Sequence, residues 1–160
     1  MPRRRPVLAN AGAVACLLLL AAGCTTSVEV DAPELSGPHA AACADLIDGL
    51  PDKVADELRR PVEPDDRSAA AWGDPPIVLR CGVPRPGDFD DLSTCQITNG
   101  VAWFIPDEQI TGDAVDIVMT TIGRSPGVEV RIPAEYFPPA ATMVDLARSV
   151  KRHTERVGRC

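Results

Sequence analysis

Aromatic residues are scarce in this 160-residue sequence: they make up 4% of it, as 2 Trp, 1 Tyr and 3 Phe. There are only two histidines, His39 and His153, and neither has a second type of ligand residue at a metal spacing. The serines form no Gly-x-Ser-x-Gly elbow and no Ser-x-x-Lys motif. We therefore predict a protein that needs no metal or cofactor and is not an enzyme.

Basic residues are outnumbered, with 16 Lys and Arg against 23 Asp and Glu and a formal net charge of −7. Arg3, Arg4 and Arg5 lie in a segment that we expect to be removed, which leaves 13 basic residues and a charge of −10. Affinity for nucleic acid comes largely from Lys and Arg that neutralise phosphates. The charge balance therefore argues against a nucleic-acid partner.

The N-terminus has no apolar run of the roughly 20 residues that span a membrane as a helix. A shorter apolar run, residues 11–22, follows the basic start and precedes Gly23-Cys24, which is typical of a signal peptide. The end of this run resembles the bacterial lipobox, although Ala21 stands where Leu is commoner. We expect residues 1–23 to be removed and Cys24 to carry lipid, which would anchor the protein to the outer side of the cell membrane. The alternative is ordinary cleavage nearby, with Cys24 a plain cysteine.

The segment 24–37 is polar, contains proline and has no periodicity, so we predict a flexible tether. Residues 38–160 have the length of one domain. Two cysteines, Cys16 and Cys24, are accounted for by the signal and the lipid. In an exported protein the other four predict two disulfides, with three connectivities open. These four are Cys43, Cys81, Cys95 and Cys160.

Helical spacing of apolar residues begins at Pro38 and ends before Pro51. The apolar stripe of this first helix consists of Cys43, Leu46, Ile47 and Leu50. Residues 52–60 extend it as a weaker helical piece, and a surface loop with Pro61, Pro64 and acidic residues follows. A second helix is predicted after Pro138-Pro139. Its shared apolar face consists of Met143, Leu146, Ala147, Val150 and Val157.

Strand patterns occupy the middle of the chain. Ile77–Val83 alternates, with Ile77, Leu79 and Cys81 on one face, and Trp72-Gly73-Asp74 forms the turn before it. Asn99-Gly100 predicts a hairpin between residues 95–98 and 101–105. Residues 115–122 and 128–132 are two further strands. The prediction is an α+β fold: an antiparallel sheet of four to five strands with an N-terminal and a C-terminal helix on one face.

Several of these segments together resemble one family. They are Cys43 with Leu50-Pro51, Trp72-Gly73-Asp74, Val78 to Pro84, Asn99-Gly100-Val101 with Trp103, and Val128-Glu129-Val130 before Pro133. The pattern is similar to the actinobacterial secreted lipoproteins of domain-of-unknown-function family 3515. The resemblance implies an exported, lipid-anchored protein and brings no known activity.

The same resemblance implies a disulfide pairing. Cys43 and Cys81 both lie inside segments that match the family pattern, which suggests that they form one unit and leaves Cys95 to pair with Cys160. The rival is Cys81 with Cys95, which closes a shorter loop.

Five residues are candidates for a ligand or partner surface. Trp72 and Trp103 either form the floor of a groove for a sugar or peptide or fill the core, and we favour the core. Arg80 and Arg124 either grip a carboxylate ligand or pair with Asp74, Glu129 or another internal acid. The five residues are Trp72, Asp74, Arg80, Trp103 and Arg124.

We predict a non-catalytic lipoprotein of the cell envelope that binds a cell-wall component or an envelope protein. One alternative is a hydrolase or transferase acting on cell-wall material through loop carboxylates such as Asp65-Asp66 or Asp90-Asp91. Another is a structural accessory of a membrane complex.

Overall fold

The computed structural model describes Met1, residues 26–65 and residues 67–160. Two α-helices are present in this part of the chain, α1 (Gly37–Asp48) and α2 (Ala140–His153). The strands are β1 (Val28–Glu29), β2 (Lys53–Val54), β3 (Glu57–Arg60), β4 (Val62–Glu63), β5 (Ala69–Trp72), β6 (Ile77–Val83), β7 (Gln96–Thr98), β8 (Val101–Phe104), β9 (Ile117–Thr121), β10 (Arg124–Ser125), β11 (Gly127–Ile132) and β12 (Glu155–Arg156).

The main sheet is antiparallel and has eight strands in the order β2-β3-β5-β6-β11-β9-β8-β7. The predicted α+β class is confirmed, but the expected four to five strands were too few. One missed strand is β5, whose three alanines and Trp72 are all buried and therefore show no alternation in the sequence. Trp72 ends this strand, and the turn begins after it.

The central strand β6 runs over Ile77–Val83, as predicted, and its residues alternate between buried and half-buried. The Asn99-Gly100 hairpin also forms, with φ of +50° and +83° at the two turn residues. Alternation and turn chemistry are local signals, so they identified these elements correctly.

The predicted helical extension over residues 52–60 is wrong, because this stretch is the hairpin β2–β3. Its turn residues Ala55 and Asp56 have φ of +50° and +66°. The backbone N–H of Ala55 donates to the Asp145 carboxylate of α2 at 2.9 Å. A tertiary hydrogen bond thus supports this turn, which contains no glycine by which the sequence would predict it.

Both helices pack on one face of the sheet, which we call the helix face. The core between them contains both tryptophans and the disulfide from Cys43 on α1 to Cys81 on β6, whose Cα atoms are 5.6 Å apart. The family resemblance implied this pairing. Cys43 and Cys81 are completely buried, so the bridge joins the first helix to the central strand inside the core.

The opposite face, called the back face, is partly covered by the N-terminal segment. β1 pairs in parallel with β4, and Val28 and Val30 pack on Ala69 and Ala71 of β5. The predicted tether is therefore too long, because residues 26–36 lie along the domain. Their two buried valines, Val28 and Val30, are too few to show periodicity, so this stretch resembles a linker in the sequence. Cys24, like the rest of residues 2–25, lies outside the described residues.

The second disulfide joins Cys95, just before β7, to Cys160, with a Cα–Cα distance of 6.2 Å. Val157, predicted on the apolar face of the last helix, is 63% exposed because α2 ends at His153 and β12 follows. Among the residues that the structure describes, no helix is both long enough and apolar enough to cross a membrane.

Candidate functional site

An open cleft of about 450 Å³ lies on the back face of the sheet. Its floor is formed by Arg80 of β6, Glu129 of β11 and Thr120 of β9, which occupy neighbouring strands in that order. Residues 83–88 and Phe104 contribute to its walls. We call it the sheet cleft.

An ion pair between Arg80 and Glu129 dominates the floor. Arg80 donates to Oε1 of Glu129 from Nη2 at 2.7 Å and from Nε at 3.1 Å. Both side chains are mostly buried, with exposures of 18% and 15%. Nη1 of Arg80 donates to the Asp31 carbonyl at 2.8 Å, so the same guanidinium also holds the N-terminal segment on the sheet.

Glu129 keeps one carboxylate oxygen available. Its Oε1 accepts three hydrogen bonds, two from Arg80 and one from Arg131 Nε at 3.1 Å. Its Oε2 accepts none from the described residues and is not enclosed. Thr120 is the register partner of Glu129 on β9 and lines the same floor. The floor can therefore accept a hydrogen bond from a ligand while the ion pair stays intact.

The wall residues 83–88 continue into a loop, residues 89–93, that is fixed by its own polar side chains. Asp90 Oδ1 accepts a hydrogen bond from the Leu92 backbone at 2.9 Å and lies 3.0 Å from the Ser93 hydroxyl. The hydrogen bond from the Leu92 backbone has the largest effect in lowering the pKa of Asp90, and the one from Ser93 lowers it further. Phe89 of this loop packs edge-on against Phe104 with ring centroids 5.1 Å apart. The loop thus has an aromatic attachment to the sheet.

The candidate surface predicted from the sequence does not come together. Trp72 and Trp103 are 0% exposed, so the groove interpretation for them is wrong and they fill the core. The indole N–H of Trp72 donates to the Pro51 carbonyl at 3.0 Å. The indole N–H of Trp103 has no acceptor within the described part of the chain.

The other three candidates lie in different places. Arg80 is in the sheet cleft, and it forms an ion pair with Glu129, one of the two acids predicted as its partners. Asp74 lies in the turn after β5, 89% exposed and 3.5 Å from Arg60 Nη1. Arg124 pairs with no acid among the described residues and instead donates to the carbonyls of Thr154 and Gly100 at 3.1 and 3.2 Å.

The carboxylates considered for hydrolysis are poorly suited to act as general acids. Asp90 is exposed and its pKa is lowered, whereas a general acid at neutral pH needs a raised pKa. Asp65 is exposed, and Asp66 lies outside the described residues.

Sequence reasoning missed one pair of polar side chains. Ser125 Oγ lies 3.2 Å from His39 Nε2 in an open cleft, although 86 residues separate them. The imidazole makes no other hydrogen bond to residues that the structure describes. No periodic pattern relates a residue of α1 to one of β10, so only the fold could bring them together.

Metal-binding clusters of three or more His, Cys, Asp or Glu do not occur among residues 26–65 and 67–160. No curated protein and no solved structure matches the chain. A family model does match it over residues 7–157, and the description of that family is "Protein of unknown function (DUF3515)". Because the match extends over nearly the whole sequence, the chain belongs to this family.

Proposed function

We propose that the protein is a non-catalytic binding module of the cell envelope, held on the outer side of the cytoplasmic membrane by lipid on Cys24. The sheet cleft is its ligand site. The observation that supports this most is the accessible Oε2 of Glu129, which has no donor among the described residues although its carboxylate is mostly buried. A ligand that donates to this oxygen forms a hydrogen bond to a charged group, which is stronger than one between neutral groups.

The chemistry of the cleft fits a glycan or peptide of the cell wall. Such ligands have O–H or N–H groups that can donate hydrogen bonds to Glu129. Their carbon skeletons can contact Val83 and Phe104 in the wall. Arg80 is already bonded to Glu129 and to the Asp31 carbonyl, so it orients the carboxylate.

Changing Glu129 to Gln is expected to weaken binding of soluble cell-wall fragments by about tenfold or more, since a hydrogen bond to a charged group contributes about 1.5–3 kcal/mol. Titration calorimetry on the full chain would measure this. Asp74→Asn is the matched control, because it removes one negative charge at a position 89% exposed and outside the cleft. Unaltered affinity in Glu129→Gln, with an unaltered near-ultraviolet circular dichroism spectrum, would rule out the cleft as the site.

Substituting Cys24 by Ser is expected to release the protein from the membrane fraction or to leave it unprocessed, because the thiol that carries the lipid is lost. Fractionation and intact mass would show the change. Cys16→Ser is the control, as it alters a cysteine of the same N-terminal segment that we do not expect to be modified. The anchor would be contradicted if wild type and Cys24→Ser carried the same added mass and were found in the same fraction.

A hydrolase is the second candidate, favoured only by the 3.2 Å contact between Ser125 and His39. A nucleophile and base need a third group that orients the base, and His39 has none among the described residues. We therefore expect a serine-directed fluorophosphonate probe not to label the purified protein. Labelling that Ser125→Ala abolishes and Ser93→Ala preserves would favour the hydrolase.

A further inference from the structure

A second cleft, of about 290 Å³, lies at the β7–β8 end of the sheet. Arg124, Arg156 and Arg159 line it, together with the hairpin residue Gly100. Lys151 also approaches, since its Nζ is 3.5 Å from the position that a Cβ of Gly100 would occupy. We call this the arginine cleft.

The fold holds these arginines together. Arg124 of β10 and Arg156 of β12 are register partners in a two-stranded antiparallel ladder. The Gly123 carbonyl accepts the backbone N–H groups of Val157 and Gly158 at 2.9 and 3.2 Å. Gly123 has φ of +70°, and a Cβ there would be 2.5 Å from the Gly158 backbone. This close approach brings the segment with Arg159 against β10.

No acidic side chain among the described residues forms an ion pair with this cluster. The ion pairs among the described residues involve Arg60, Arg67, Arg80 and Arg131, and none involves a residue of the arginine cleft. Burial and the neighbouring charge of Arg156 both lower the pKa of Arg124. In a chain of net charge −7, the fold thus gathers like charges that repel one another. An anionic ligand would relieve this repulsion.

The guanidinium groups favour phosphate as the anion. Arginine forms paired hydrogen bonds to phosphate oxygens, and several arginines around one cleft can bind the same phosphate from different sides. Ile97, Ala102 and Ile122 also line the cleft and can contact the carbon skeleton next to a phosphate. The volume is near the lower end for small-ligand sites, enough for a short section of a polymer.

A phosphate could come from a lipid headgroup or from a polymer, and the position of the cleft bears on this choice. Thr26 is the first described residue after Met1, and its carbonyl accepts a hydrogen bond from Arg60 of β3. Gly100 lies between β7 and β8. Five strand spacings separate β3 from β8, on the order of 24 Å. If Cys24 is anchored as proposed, the arginine cleft lies at the other end of the sheet from Thr26, two residues after the anchor.

We propose that the arginine cleft binds a phosphodiester-linked polymer of the cell envelope. This site is separate from the sheet cleft, and only the choice of a polymer over a lipid headgroup rests on the proposed anchor.

The test is binding of poly(glycerol phosphate) by the full chain in neutral detergent micelles. Arg156→Gln combined with Arg159→Gln is expected to weaken binding at least tenfold and to reduce its salt dependence, since two phosphate contacts are lost. Arg148→Gln, at an exposed position of α2, is the control and should change affinity less than twofold. Equal losses in the double variant and the control would overturn the proposal, because they would mean diffuse charge attraction.

Two further measurements test whether the phosphate belongs to a polymer or to a lipid, and whether binding occurs in the arginine cleft or in the sheet cleft. Micelles doped with phosphatidylglycerol should compete weakly; competition stronger than that of the polymer would overturn the proposal in favour of a lipid headgroup. Glu129→Gln should leave polymer affinity unchanged, so the sheet cleft can fail its own test independently. Absence of polymer binding by the wild-type chain, or its loss in Glu129→Gln, would also overturn the proposal.

Discussion

Replacing both Cys43 and Cys81 by Ala is expected to lower the free energy of unfolding by about 4 kcal/mol or more. The bridge closes a loop with a sequence separation of 38, for which the chain-entropy model gives about 4 kcal/mol. Both residues are completely buried, so the two missing sulfurs also remove core packing between α1 and β6. A loss of this size is a large share of the stability of a small domain. Urea unfolding followed by far-ultraviolet circular dichroism would measure it.

The control is the double replacement of Cys95 and Cys160 by Ala. Its loop separation is longer, 65, and the same model also gives about 4 kcal/mol. Cys160 is exposed and Cys95 half-buried, however, so no core packing is lost. The core pair should therefore destabilise the protein more than the outer pair. The reverse order would show that loop length, and not burial, determines the contribution of each bridge.

The elements that the sequence predicted correctly are those with strong local signals. The strand Ile77–Val83 alternates strictly, and Asn99-Gly100 has the residues that a tight hairpin needs at positive φ. The missed elements lack such signals. Strand β5 is an alanine run buried on both faces. The β2–β3 turn uses Ala55 and Asp56, and it is held by a hydrogen bond that the Ala55 N–H donates to Asp145, 90 residues later in the chain.

The candidate sites were harder to predict, since they depend on which strands become neighbours. Arg80 was a candidate from the sequence, but its cleft required β9 to lie beside β11, and β11 beside β6. The arginine cleft was hidden in a different way. The overall acidic charge argued against phosphate ligands, whereas the β10–β12 ladder brings Arg124 and Arg156 together and the segment after it adds Arg159. Net charge does not describe a local surface.

Truncation of either tryptophan to Ala is expected to cost about 3–5 kcal/mol of unfolding free energy, as for large buried aromatics elsewhere. Trp72 and Trp103 are both 0% exposed and belong to the same core cluster. If either tryptophan instead formed the floor of a ligand groove, its truncation would reduce binding while stability changed little. Chemical denaturation of the two Ala variants separates these outcomes.

Replacement by Phe distinguishes the two tryptophans, because it removes a similar volume at each position but a different hydrogen bond. Trp72→Phe loses the 3.0 Å bond from the indole N–H and leaves the Pro51 carbonyl without that donor. Trp103→Phe removes an N–H that has no acceptor among the described residues, so part of the lost packing is offset. Trp72→Phe should therefore be less stable than Trp103→Phe by about 1–2 kcal/mol. Equal stabilities in urea denaturation would mean that Trp103 has an acceptor after all, such as a bound water.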